Sequence, residues 1–204
     1  MTNDAQRIIG LYQRHGLAWE ADRRRTPFVE KDWLDRFATL LPTNGHVLDL
    51  GCGGAEPMAG VLIGQGFSIT GIDSSPQMIN LCRTRHRTQE WQVGDMRTLS
   101  LGRAFDGIIA WDSFFHLTPD DQRRMFPIFG AHTSDSAALL FSSGPQHGEA
   151  IGALEGEPLY HASLDPGEYY TLLRNTGFTV VGHVVKDPTC GGHTVWLAQR
   201  EQAI

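Results

Sequence analysis

Apolar positions recur at helical spacing near the start of the chain and in short strand-like runs after it. Ile8, Tyr12, His15 and Trp19 fall on one side of a helix running from about Asp4 to Arg24, which Pro27 closes. Trp33, Leu34, Phe37 and Leu41 predict a second helix over about Val29 to Leu41, ended by Pro42. The pattern then changes. Val47-Leu48-Asp49-Leu50 is an apolar run of buried-strand length, and Gly51-Cys52-Gly53-Gly54-Ala55 turns it into a helix expected from Glu56-Pro57 as far as Gly64 and Gly66.

Phe67 to Asp73 alternates β-branched and small residues and predicts a second strand, with Ser74-Ser75-Pro76 capping the next helix. Trp91-Gln92-Val93 is a short third strand leading into Gly94-Asp95-Met96-Arg97. Phe105 to Asp112 is a fourth, followed by Ser113-Phe114-Phe115-His116 and by Thr118-Pro119-Asp120-Asp121 at the start of a long helix. A fifth strand runs from Ala137 to Ser142. Ser143 to Asp165 is expected to be a long loop rich in ionisable and aromatic side chains, among them His147, Glu149, Tyr160 and His161. A last helix begins at Asp165-Pro166-Gly167-Glu168. Strands over Phe178 to Val185 and His193 to Gln199, joined by a short connection, are expected to be antiparallel.

The glycine turn carries the first chemistry. Gly51 and Gly53 tolerate positive φ and carry no Cβ, so a ligand can approach the backbone where a helix begins. A dinucleotide turn needs a third glycine or alanine, and Glu56 stands there instead, which disfavours a pyrophosphate. Asp73, ending the second strand, is placed to accept both hydroxyls of a ribose. In order come a glycine loop, an acid, a Gly-Asp pair and an aromatic-rich end of the fourth strand. That series resembles the class I S-adenosylmethionine-dependent methyltransferases and covers roughly Val47 to Ala198.

The resemblance implies an α/β, Rossmann-like sheet of seven strands in the order 3-2-1-4-5-7-6 with the seventh antiparallel. Helices lie on both faces, and N-terminal helices cover the cofactor. One methyltransferase domain over 1–204 is expected, with a helical cap over 1–42 and a catalytic core over 43–204. S-adenosyl-L-methionine is the implied cofactor, held by Tyr12, Trp19, Arg23, Asp49, Gly51, Cys52, Gly53, Asp73, Ser74, Met78, Asp95, Met96, Trp111 and His116. Asp95 is expected to accept the adenine amine, with Met96 on the ring face.

With 204 residues, 41% of them hydrophobic, the chain suits one globular domain. A net charge of -6 disfavours a nucleic-acid partner, as does Ala110-Trp111-Asp112-Ser113 in place of the Pro-Pro and aromatic of amino-methylating nucleic-acid enzymes. The N-terminus lacks a signal-peptide pattern and no apolar run approaches a membrane span, so a cytoplasmic protein, monomer or homodimer, is expected. Cys52, Cys82 and Cys190 are too few and scattered for a disulfide framework. Without an Asp-Asn dipeptide a catechol-type metal site is disfavoured, and Cys190-x-x-His193 lacks a second close pair of zinc ligands. No metal is expected.

A small-molecule O, N or S acceptor follows from the small chain with no appended recognition domain. His116 leads the candidates for a catalytic base, followed by His161 and His193. The acceptor is expected between the Ser143 to Asp165 segment and the Asp187 to Gly192 turn, with Cys190 and His193 brought toward His147, Tyr160 and His161. A non-catalytic S-adenosylmethionine-binding domain and a nicotinamide-dependent oxidoreductase are the alternatives.

Overall fold

The computed structural model describes residues 3–202. Helices α1 (Asn3–Arg23) and α2 (Lys31–Thr39) precede a seven-stranded sheet ordered β3-β2-β1-β4-β5-β9-β8. Its strands are β1 (His46–Leu50), β2 (Ser68–Asp73), β3 (Glu90–Val93), β4 (Phe105–Ala110), β5 (Thr133–Ser143), β8 (Phe178–Asp187) and β9 (His193–Arg200). The first five pair in parallel, whereas β9 is antiparallel to both β5 and β8. This is the expected order, with β8 and β9 as the sixth and seventh strands of the sheet.

Four helices complete the layers: α3 (Met58–Gly64), α4 (Pro76–Arg85), α5 (Pro119–Ala131) and α6 (Pro166–Asn175). Caps set three of the starts, since Ser75, Thr118 and Asp165 accept from the backbone N–H groups of Met78, Asp121 and Gly167. Successive strand residues point to opposite faces. Val47, Ile69, Ile109 and Leu140 therefore pack with α2, α3 and α4, while Leu48, Ile72, Ile108 and Leu139 pack with α5 and α6. Burial on both faces explains the continuous apolar runs.

The expected loop over Ser143 to Asp165 is instead largely a β-hairpin, β6 (Gly148–Leu154) and β7 (Glu157–Ser163), paired from Gly148↔Ser163 to Leu154↔Glu157. Glu155 and Gly156 form its two-residue turn, both at positive φ (49° and 80°) as a type I′ turn demands. The hairpin is tied to α1. Glu157 accepts from Arg14 Nη2 at 2.6 Å and pairs with His15 Nε2 at 2.6 Å.

Candidate functional site

The carboxyl ends of β1, β2 and β4 converge where the strand order reverses, the usual place for a ligand in such a sheet. A cleft opens there. Gly51 and Gly53 form one wall, Asp73 and Ser74 the next, Asp95 and Met96 the third, and Ile8, Ile9, Tyr12 and Trp19 of α1 the roof. Asp73 ties these parts together: Oδ2 accepts from Gly53 N–H at 2.9 Å and Oδ1 from Ser75 N–H at 2.8 Å. Burial raises its pKa against the pull of those two donors.

Four aspartates (Asp73, Asp95, Asp112 and Asp121) line the cleft against one guanidinium, Arg97, which already donates Nη2 to Asp95 Oδ2 at 2.6 Å. Such a surface suits a cationic ligand and repels a phosphorylated one. S-adenosylmethionine, a sulfonium without phosphates, fits this donor set.

Not every residue implied for the cofactor lines the cleft. Arg23 points elsewhere because its Nη2 donates to Glu30 Oε1 at 2.5 Å. Cys52 lies buried beneath the turn, and Asp49 is buried in β1 with 5% exposure. Trp111 is buried beside His193, ring centroids 5.2 Å apart. Glu56, read as a guard against pyrophosphate, pairs with His86 at 2.8 Å and does not line the cleft. Tyr12, Trp19, Gly51, Gly53, Asp73, Ser74, Met78, Asp95, Met96 and His116 do line it. Ile8, Ile9, Arg97, Asp112, Ser113 and Asp121 also line it, although the sequence did not assign them to the cofactor.

Asp49 nevertheless responds to the site. Its burial, followed by the charge of Asp73, pushes its pKa up to about 7. The unfolded chain releases this proton near pH 4, so the folded state gains stability below that pH and loses it as pH rises toward 7. The cost across that window is a few kcal/mol. Urea unfolding at pH 3 and pH 8 is expected to show Asp49→Asn gaining on the native chain between the two; the same pH dependence in both proteins would exclude Asp49 as its source.

A second cleft adjoins the first across a wall to which Tyr12, Trp19, Asp112 and His116 contribute. Its other sides come from Phe115, from Leu159 and His161 of β7, and from Gly191, Gly192 and His193. It lies between the hairpin and the β8–β9 connection, where the acceptor was expected. His161 and His193 face it, but Tyr160 lies on the opposite side of β7 because side chains alternate along a strand. His147 is exposed and lines neither cleft. Cys190 is buried, and that burial, reinforced by Glu30, pushes its thiol up to about 12.

Three histidines face these clefts in different states. Both nitrogens of His116 are engaged, Nδ1 with the Tyr160 carbonyl at 2.8 Å and Nε2 with the Tyr12 hydroxyl at 2.9 Å. A neutral ring satisfies both by donating from Nδ1 and accepting at Nε2, and burial lowers its pKa to about 4. His161 donates Nδ1–H to the Leu159 carbonyl, leaving Nε2 without a protein partner among the described residues, and burial keeps it neutral. His193 donates Nδ1–H to the Cys190 carbonyl at 2.7 Å and sets Nε2 3.1 Å from Asp112 Oδ1. That pairing raises the His193 pKa to about 9. Glu30 joins Asp112 and His193 there, with one ligand atom from each all within 4.8 Å of one another.

Residues 47–133 match the model of a methyltransferase domain. The O-methyltransferase cnsE of Penicillium expansum is 26% identical over 188 residues, covering 85% of this chain and 67% of that protein. Among solved structures, the 1,6-didemethyltoxoflavin-N1-methyltransferase of Burkholderia thailandensis superposes with a TM-score of 0.74 at 18% identity, covering 99% of this chain and 92% of that one. The amino pentose methyltransferase CalS10 of Micromonospora echinaspora gives 0.71 at 20% identity, covering 90% and 96%. The domain match spans the glycine turn, Asp73, the Gly-Asp pair and the β4 end in their observed order, and together with these relatives it supports a class I S-adenosylmethionine-dependent methyltransferase.

Proposed function

We propose that this protein transfers a methyl group from S-adenosylmethionine to a hydroxyl oxygen of a small molecule held in the second cleft. The observation that carries this reading is the shared wall of Tyr12, Trp19, Asp112 and His116, which sets the two clefts side by side. The O-methyltransferase relatives support oxygen as the acceptor atom. S-adenosylmethionine supplies an electrophilic methyl group when bound.

The cofactor residues implied by sequence that line the first cleft form its proposed binding set, without Arg23, Asp49, Cys52 and Trp111. The chain's own residues orient and enclose the reactants. Asp73 fixes the glycine turn, Met96 and Tyr12 offer apolar surface, and α1 roofs the site. His116, with both nitrogens engaged, positions the Tyr12 hydroxyl. His161 is better placed as the base, because its neutral Nε2 lacks a protein partner among the described residues and its ring borders the second cleft. It would take the acceptor's hydroxyl proton as the oxygen bonds to the methyl carbon and the methyl–sulfur bonding pair stays on sulfur.

The test is a screen of hydroxylated small molecules for S-adenosylhomocysteine release, followed by kinetics of His161→Ala on the best acceptor. A base of this kind contributes about a hundredfold or more to kcat, whereas S-adenosylhomocysteine affinity is expected to stay near the native value. An unchanged kcat at saturating acceptor would remove His161 from that role. No turnover with any acceptor, together with intact nucleoside binding, would favour the non-catalytic alternative.

A further inference from the structure

We propose that Glu30, Asp112 and His193 form a binding site for a divalent metal ion beside the second cleft. They come from the residue before α2, the residues after β4 and the start of β9, so nothing in local sequence places them together. Their ligand atoms lie within 4.8 Å of one another. An ion about 2.1 Å from each donor requires separations of no more than about 4.2 Å. Asp112 and His193, 3.1 Å apart, already meet that limit, and Glu30, within 4.8 Å of both, reaches it with a small side-chain shift.

Independent support comes from Glu30. Its side chain is 2% exposed; Oε1 takes the Arg23 guanidinium, but buried Oε2 has no hydrogen-bond partner among the described residues. A buried carboxylate oxygen left without a donor is costly unless something compensates it. An ion held jointly with Asp112 and His193 would do so. Arg23 and the Nε2 proton of His193 compete with an ion here; the Arg23 contact with the other oxygen leaves Oε2 available, and a bound ion would take the place of that proton.

The surrounding bonds hold the other two donors in ligating orientation. His193 donates Nδ1–H to the Cys190 carbonyl, so its Nε2 is the atom turned to the carboxylates. An outer hydrogen bond of this type fixes a metal-binding histidine ring. Asp112, at φ 48°, is pinned by Ser142 Oγ, which accepts from its backbone N–H at 2.9 Å and donates to Oδ1 at 3.2 Å.

One imidazole and two carboxylates suit a first-row divalent ion better than a soft one, and three protein ligands leave positions open. Asp112 and His193 line the second cleft, so those positions face the proposed acceptor. The ion would thus select acceptors bearing oxygen ligands, a role that rests on the methyl-transfer reading although binding of the ion does not.

The test is titration of chelator-stripped protein with Mn²⁺, followed by electron paramagnetic resonance, with S-adenosylhomocysteine calorimetry on the same preparations. Saturable binding of one equivalent is expected, weakened at least about tenfold in both Glu30→Gln and His193→Ala. Lack of saturable Mn²⁺ binding, or unaltered binding in either variant, would overturn the proposal. Retained nucleoside binding without Mn²⁺ binding would discard the ion site while leaving methyl transfer standing. Two variants on separate elements guard against a local folding defect in one.

Discussion

Gly51→Ala is expected to abolish nucleoside binding and lower the melting temperature by many degrees. The residue sits at φ +74°, where an L side chain costs about 1–2 kcal/mol. The larger obstacle is contact: an added Cβ would lie 2.3 Å from Ser113 Cβ and 2.8 Å from its Oγ. Ser113 cannot simply swing aside, because its Cβ is fixed to the backbone and its Oγ donates to the Leu50 carbonyl at 2.7 Å. Overpacking of this sort adds about 1–3 kcal/mol, so the sum is a large part of a domain's stability. Adding Ser113→Gly should recover the contact cost but not the cost of φ. Native-like melting in the single variant would show that β1 and β4 need not approach so closely.

That contact also revises what the glycine means. From sequence, Gly51 and Gly53 leave room for a ligand; in the fold the missing Cβ positions point at protein, toward Ser113 and, for Gly53, the Trp19 ring at 3.2 Å. Both residues still border the cleft. The cradle's location was therefore legible, while the physical reason for its small residues lay in tertiary packing.

The same division runs through the rest of the chain. Strands β1, β2, β4 and β5 were legible because burial on both faces leaves unbroken apolar runs, and α4, α5 and α6 because Ser75, Thr118 and Asp165 cap them locally. The hairpin was not: every residue from Gly148 to Ala153 is exposed, giving no alternation to read, and Glu-Gly is a weaker turn signal than Asn-Gly. Asp73 and Asp95 could be placed because strand ends point to the crevice. Glu30 and Asp112 could not, since their grouping with His193 depends on α2 and β9 meeting at the end of β4.

Asp73→Ala is expected to weaken S-adenosylmethionine by about 1.5–3 kcal/mol, the value of hydrogen bonds to a charged group. The wall residue has two tasks. Its carboxylate accepts one backbone N–H from the glycine turn and one from the α4 cap, yet an ionised carboxylate has about four acceptor positions. The remaining positions are free for ribose hydroxyls in the cleft it lines. Alanine removes those positions and also leaves the Gly53 and Ser75 N–H groups unpaired, so affinity and the melting temperature should fall together. Asp73→Asn separates the tasks only poorly, because an amide offers one acceptor oxygen while its NH₂ must face a second N–H donor. Asparagine should consequently rescue little of either loss. Calorimetry with S-adenosylhomocysteine decides the matter: native affinity in the alanine variant would remove Asp73 from the cofactor site, and full rescue by asparagine would show that its charge and second oxygen are not what the turn requires.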